Sequence, residues 1–231
     1  MSRNGKQKLL ITAGSTREPI DPVRFISNYS TGTLGYRLAT LAQKRGYEVT
    51  LISGPTEWDC PKGVKRISVE TAMEMHQAVR REFPKSDVLI MSAAVGDFRP
   101  IRVANQKIKR SGVSGSLRLW QLELVENPDI VADASSQRKP GQVVIGFALE
   151  TQQLIPNAKT KLKAKDLDAI VATYCAPKKG KGPFGLRPVD GAIITRRGAP
   201  QPFRGISKTA LAAKILNTLK TVVAANAKSG R

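Results

Sequence analysis

Residues 8–14 read Lys8-Leu9-Leu10-Ile11-Thr12-Ala13-Gly14, a short apolar run closed by a glycine, which is the signature of a buried strand opening an α/β unit. Working outward, Tyr36 to Arg45 carries Leu38, Ala39, Leu41 and Ala42 at helical spacing. Gly46 stands as its C-cap, and Glu48 to Ser53 (EVTLIS) reads as the next strand. Arg66 to Val69 is a short strand, Thr71 to Arg81 a helix with Met73, Met75 and Val79 turned partly inward, and Asp87 to Met91 (DVLIM) a fourth strand. Val143 to Phe147, Ala169 to Ala172 and Ala192 to Thr195 are further buried-strand candidates. Ser207 to Ala224 is a closing amphipathic helix with Ser207 as N-cap. Strand and helix in this rhythm predict an α/β fold, Rossmann-like and doubly wound, with a mostly parallel sheet covered on both faces. Two segments break it. Asp97 to Leu117, followed by the alternating run Leu117 to Leu124 (LRLWQLEL), predicts a flap or hairpin extension at a sheet edge. Ala176 to Pro188 (APKKGKGPFGLRP) predicts a mobile basic loop.

The chain of 231 residues suits a single domain over 1–231, with 1–7 and 225–231 as flexible tails. No apolar run approaches the roughly 20 residues of a membrane span, and Met1 to Lys8 has no signal-peptide core. Cys60 and Cys175 alone cannot build a disulfide framework or a four-thiolate zinc site. His76 is the single histidine, which excludes His-rich metal centres and mechanisms needing two imidazoles. The expectation is a cytoplasmic protein with no metal held by protein ligands alone. Lys and Arg number 38 against 18 acids, a net charge of +20. Such a surface attracts polyanions, including nucleotides and, non-specifically, nucleic acid.

In a parallel α/β sheet, ligands sit beyond the carboxyl ends of the strands. Gly14, after the first strand, opens a small-residue turn that can present N–H groups to an anion or simply turn the chain. The turn at Gly14 is not a G-x-G-x-x-G, and no G-x-x-x-x-G-K-[ST] occurs anywhere in the chain. Small hydroxyl and glycine residues from Ser27 to Gly35 precede a helix. Asn28 among them can serve a carbonyl group through its amide or form a turn, and Ser30 or Thr31 can cap the helix. After the fourth strand, Ala93-Ala94-Val95-Gly96-Asp97 permits close approach of a flat base. Asp97 can accept from a base amino group, help hold Mg²⁺, or cap a turn. Lys107 follows in the flap candidate, and Lys161 and Lys165 are four apart, on one face of a helix.

These motifs, ITAGSTREPIDPVRFISNYSTGTLG, VTLISGP, AAVGDFRP, KIKR, ENPDIV, VIGFALET and KLKAKDLDAIVA, occur in an order that resembles the phosphopantothenate–cysteine ligases (phosphopantothenoylcysteine synthetases). These form the ligase half of the bacterial bifunctional DNA/pantothenate metabolism flavoproteins, and the resemblance spans about residues 8 to 215. It implies that 4′-phosphopantothenate and cysteine are joined through an acyl-cytidylate, with CTP and Mg²⁺ consumed together and CMP and pyrophosphate released. It implies no FMN, since the flavin-binding half has no counterpart here. By the same resemblance Asn28, Arg24 and Lys107 are catalytic. Gly14, Met91, Ser92, Ala93, Asp97, Pro128, Asp129, Ile130, Val131, Phe147, Lys161 and Lys165 bind the nucleotide. A homodimer is implied as well, and the Leu117 to Leu124 run is its candidate edge.

The chain departs from the family pattern where Gly14-Ser15 replaces a glycine pair, where Arg110 ends the K-x-K-K motif, and over Thr173 to Gly185. These changes gather on the acid-substrate side. Two rivals stand beside this reading. An NAD(P)-dependent oxidoreductase would rest on Tyr174-Cys175-Ala176-Pro177-Lys178 as Y-x-x-x-K, which Pro177 keeps from being helical. A basic nucleic-acid-binding protein would rest on the net charge alone.

Overall fold

The alternation becomes one eight-stranded sheet in the computed structural model, which describes residues 5–109, 120–175 and 182–228. The elements in chain order are β1 (Lys8–Ala13), β2 (Arg17–Pro19), β3 (Phe25–Ser27), α1 (Thr33–Lys44), β4 (Glu48–Ser53), β5 (Lys65–Ser68), α2 (Ala72–Glu82), β6 (Val88–Met91) and β7 (Phe98–Pro100). There follow β8 (Leu124–Glu126), α3 (Ile130–Ser136), β9 (Val143–Glu150), α4 (Leu154–Ala164), β10 (Ala169–Tyr174), β11 (Val189–Thr195), β12 (Gln201–Ile206) and α5 (Lys208–Lys228).

The strands lie in the order β12-β11-β10-β9-β6-β1-β4-β5. From β10 to β5 all neighbours are parallel, whereas β11 and β12 add antiparallel to the β10 edge. The chain starts in the middle, winds outward through β4 and β5, then returns to β6 on the other side of β1. Strand order therefore reverses between β1 and β6, which opens a crevice at their carboxyl ends.

Alternation along each strand divides the core. Leu9, Ile11 and Ala13 of β1 face α1 and α5 with Leu38, Ala39, Leu211, Ile215 and Leu219. Leu10 faces the opposite layer, built on α2, α3 and α4 with Met75, Val79, Ala134, Ala158 and Leu162. Each of the leucine, isoleucine, valine and methionine side chains among them, fully buried, contributes roughly 1.5–3 kcal/mol of transfer free energy, and each alanine less.

Several boundaries differ from the sequence reading for local reasons. Helix α1 starts at Thr33 with Gly32 as its N-cap in the left-handed region (φ 75°), so neither Ser30 nor Thr31 caps it. Helix α5 runs past Ala224 to Lys228, so residues 225–228, expected in a flexible tail, are helical. The Asn226 side chain donates to the buried Asp168 carboxylate at 3.1 Å and holds that last turn down. Ser207 caps α5 as expected, its hydroxyl accepting from the Ala210 N–H at 3.1 Å.

The short hairpin β2–β3 and the strand β12 were not among the sequence-level elements. The antiparallel pair β7–β8 joins the two ends of the segment expected as a flap or hairpin, as a ladder apart from the main sheet, and α4 is the helix expected to carry Lys161. Among the described residues of the alternating run Leu117 to Leu124, Leu124 alone lies in a strand. Residues 117–119 and Arg110 lie outside the described residues, as do 176–181 of the basic loop.

Candidate functional site

Two adjoining clefts occupy the crevice at the switch between β1 and β6. The first, of about 510 Å³, is lined by Met91, Ala93 and Asp97 after β6, by Pro128 to Val131 at the start of α3, and by Phe147 and Lys165. The second, of about 370 Å³, shares Ala93, Asp97, Phe147 and Lys165 with it. It then continues past Ser92 and Lys161 to Thr31, Thr33, Thr173, Phe184 and Lys208.

The floor of these clefts is stitched between the two central strands. The Thr12 hydroxyl accepts from the Ala93 N–H at 3.1 Å, the Ala94 N–H donates to the Gly14 carbonyl at 2.9 Å, and the Gly96 N–H donates to the Thr16 hydroxyl at 2.9 Å. Buried strand-end threonines thus fix small residues where a planar ligand can approach backbone. Asn127 adds a further tie, its side-chain amide donating to the Gly96 carbonyl at 2.9 Å.

The charged groups of the clefts divide into paired and unpaired. Asp129 is the N-cap of α3, accepting from the Ala132 N–H at 3.1 Å, and it pairs with Lys165 at 2.8 Å. Lys161 pairs with Glu150 at 2.7 Å. Burial pushes the Glu150 carboxyl up, but Lys161 and Asn157 pull it down further, and it ends below its usual value. Asp97 is exposed, and its carboxylate makes no hydrogen bond or ion pair among the described residues. Lys208 donates to the Pro183 carbonyl at 2.7 Å, and burial pulls its ammonium down to about 8.

Twelve nucleotide-site residues were named from the sequence, and eleven line these two clefts: Met91, Ser92, Ala93, Asp97, Pro128, Asp129, Ile130, Val131, Phe147, Lys161 and Lys165. The twelfth, Gly14, lies beneath them, its Cα packed against the Gly54 backbone. Asn28, Arg24 and Lys107 are not in the lining. Asn28 is exposed at the rim, its Nδ2 donating to the Ala94 carbonyl at 3.2 Å.

Arg24 is engaged in a clamp. Asp21, fully buried, accepts from the N–H groups of Val23 and Arg24 at 2.9 Å each and pairs with the Arg24 guanidinium. Its Oδ2 also accepts from the Ile108 N–H at 3.1 Å, while Arg24 Nη2 donates to the Ile108 carbonyl at 3.0 Å and its guanidinium lies over Trp120. Ile108 is thereby gripped through its main chain, and Lys107 is its exposed neighbour.

Arg24 holds the Asp21 carboxyl well below the usual carboxylate range, against burial, with help from the backbone N–H groups. The sign follows: a depressed folded pKa gives stability that is present above about pH 4 and lost as pH falls below it. We expect wild type to lose thermal stability on acidification below about pH 4 more steeply than Asp21→Asn. Parallel melting curves against pH would show no difference in slope if the clamp were inconsequential.

Sequence reasoning passed over Asp21 and Lys208. Asp21 sits inside a motif quoted whole, and nothing in its spacing marks it as buried. Lys208 counts as one more basic surface residue. Its signal was available, though, since a lysine in the first turn of a helix opposes the macrodipole. Tyr174 of the Y-x-x-x-K pattern ends strand β10 and is not on a helix, and Lys178 lies outside the described residues. Among the described residues no three His, Cys, Asp or Glu side chains gather as a metal centre, and no helix is long and apolar enough to cross a membrane.

Strand order and cleft position define a doubly wound α/β protein with its ligand crevice at the topological switch. The model of the DNA/pantothenate metabolism flavoprotein C-terminal domain matches residues 4–223, and the chain belongs to that family. Among curated proteins it is similar to the coenzyme A biosynthesis bifunctional protein CoaBC of Mycobacterium tuberculosis, 40% identical over 228 residues, and to that of Vibrio vulnificus, 39% identical over 220. Each match covers 94% of this chain and 53% of the relative, so the chain spans about half the length of these proteins. Among solved structures, the C-terminal domain of a CoaBC protein superposes with TM-score 0.77 at 32% identity, covering 95% of this chain and 96% of that one. A Cab2 variant bound to phosphopantothenate-cysteine superposes with TM-score 0.71 at 16% identity, covering 94% and 88%, and attests the fold.

Proposed function

We propose that the chain is a phosphopantothenate–cysteine ligase of coenzyme A biosynthesis that uses CTP and Mg²⁺. One observation carries the reading: Met91, Ala93, Asp97, Pro128 to Val131, Phe147 and Lys165, drawn from four separate segments, line one cleft at the switch point. The family's domain match and the CoaBC relatives support the same reaction.

In this reading the cytidine lies over Ala93 with Pro128 to Val131 beside it, and the triphosphate extends toward Lys165 and Lys161. Those lysines are already paired with Asp129 and Glu150, which keeps them oriented before the nucleotide arrives. Mg²⁺ bound with the triphosphate would neutralise part of its charge. Asp97, an unpaired carboxylate on the wall common to both clefts, fits as its single protein ligand beside phosphate oxygens.

The acid's carboxylate attacks the α-phosphorus, the bond to pyrophosphate breaks, and an acyl-cytidylate forms. The amine of cysteine then attacks the acyl carbon and CMP leaves, the amine's proton passing to solvent. This chemistry asks for positioning and for charge stabilisation, without an imidazole. Lys107, exposed beside the clamped Ile108, approaches the nucleotide phosphates as the flap closes.

Wild type incubated with 4′-phosphopantothenate, cysteine, CTP and Mg²⁺ should release CMP and pyrophosphate only with every component present, and ATP should replace CTP poorly. Failure to form product would overturn the reading. Lys107→Gln should slow cytidylate formation on the order of 100-fold with the melting temperature unchanged. A wild-type rate would remove Lys107 from the mechanism.

A homodimer belongs to this reading too. Val23, Phe25, Phe98, Ile101, Val103 and Trp120 leave apolar area exposed around the two small strand pairs, a surface that a second copy would cover. Light scattering at micromolar concentration checks it, a monomer being the contrary result.

A further inference from the structure

The second cleft has two ends of different character. On the wall shared with the first cleft Lys165, and in the second cleft alone Lys161, carry carboxylate partners at 2.8 and 2.7 Å. At the far end, among Thr31, Thr33, Thr173 and Phe184, stands Lys208, whose partner among the described residues is a neutral one, the Pro183 carbonyl at 2.7 Å. A half-buried ammonium facing only a carbonyl leaves its charge uncompensated inside a cavity, and the group that would compensate it is an anion.

The geometry of the reaction says which anion. A linear acid carrying a phosphomonoester must bring its carboxylate to the nucleotide's α-phosphate at the shared end, so its phosphate must lie away from the nucleotide. We propose that Lys208 is the cation that receives the phosphomonoester of the acid substrate, forming a separate anion subsite at the far end of the second cleft.

The inference rests on the ligase reading for the identity of the ligand, though its site is defined by the cavity and by Lys208. It assigns to one residue the discrimination between the phosphorylated acid and its dephosphorylated form. The depressed pKa of Lys208 agrees with it, since desolvation without a countercharge is what a bound phosphate would relieve. The Pro183 carbonyl would yield its hydrogen bond to the phosphate, a stronger acceptor because it is ionised.

The first measurement uses the whole chain with an amine-acylating reagent at pH 8, modification of Lys208 being read by peptide mapping. 4′-Phosphopantothenate should slow acylation of Lys208 about fivefold or more, and pantothenate should leave it unchanged. Equal protection by both, by neither, or by CTP alone would overturn the subsite. The second is steady-state kinetics. Lys208→Gln should raise the half-saturating concentration of 4′-phosphopantothenate about tenfold or more while leaving that of CTP unchanged. Lys208→Arg, which keeps the charge, should recover most of the loss. Equal shifts for both substrates, or none, would count against the proposal. Product from wild type without protection of Lys208 would sink the subsite and leave the ligase reading standing. Protection without product would do the reverse.

Discussion

Asn28→Asp is expected to abolish product formation while the protein remains folded. The Asn28 amide donates to the Ala94 carbonyl at the rim of the clefts. An aspartate there offers only acceptors, so it would repel that carbonyl and place a negative charge where phosphate and carboxylate oxygens must pass. Repulsion at close range in a partly desolvated site costs on the order of a few kcal/mol, which corresponds to a loss of roughly 100- to 1000-fold in rate. The side chain is exposed and its loss opens no cavity, so the melting temperature should stay within about 2 °C of wild type. Release of CMP and pyrophosphate, followed side by side for the two proteins, is the measurement. An active variant would make Asn28 a turn residue, where aspartate serves nearly as well.

Gly54→Ala should act through the framework instead. Gly54 follows β4, and a methyl group on it would come within 2.2 Å of the Ser15 carbonyl oxygen. Gly14 on the neighbouring turn is less tightly confined, a methyl there meeting the Gly54 carbonyl oxygen at 3.0 Å, but its φ of 79° strains any side chain. Backbone packs on backbone at this point, and no rotamer change can make room. The two strand ends would have to separate, at a cost of about 2–3 kcal/mol. For a chain of this size that lowers the melting temperature by about 5–10 °C. Because the Ser15 and Ala94 bridge continues from the same turn, nucleotide binding should weaken alongside stability. A variant that melts with wild type would show that the turn after β1 shifts freely.

The sheet was legible because its strands are apolar runs that terminate at glycine or small residues, as Leu9 to Gly14 and Val88 to Ala93 do. Five of the six parallel strands came from such runs, and β5 (Lys65–Ser68), at the sheet edge, is the polar exception. The ladder at Arg17–Pro19 with Phe25–Ser27 escaped notice, since strands of three residues carry no periodicity, and for the pair Phe98–Pro100 with Leu124–Glu126 the sequence offered a hairpin without its strands. Helix α3 has the same difficulty at seven residues, although Asp129 marked its start. Within the site, the cleft lining was readable from motif resemblance alone. Bottom-up spacing did little more than set Lys161 and Lys165 on one side of a helix, and Lys165 in fact lies just past its end. Pairing decides what each lysine can do, and pairing is a property of the folded chain. Glu150 and Asp129 reach Lys161 and Lys165 from other segments, while among the described residues no acid reaches Lys208.

The grip of Asp21 and Arg24 on Ile108 touches the N–H and the C=O of that residue and ignores its side chain. What is inherited at this point is therefore a count along the chain and not an amino-acid identity. Replacing Ile108 by another residue with a free N–H leaves both bonds intact. Deleting one residue between Arg102 and Gln106, by contrast, shortens the tether from β7 and moves a different peptide unit into the grip. Lys109 would then be held as Ile108 is now, and Ile108 would stand where Lys107 is presented. Drift in composition is tolerated here, whereas drift in length is not. Libraries that vary residues 101–109 should keep their length fixed if they are to yield folded proteins with a lysine still presented toward the clefts.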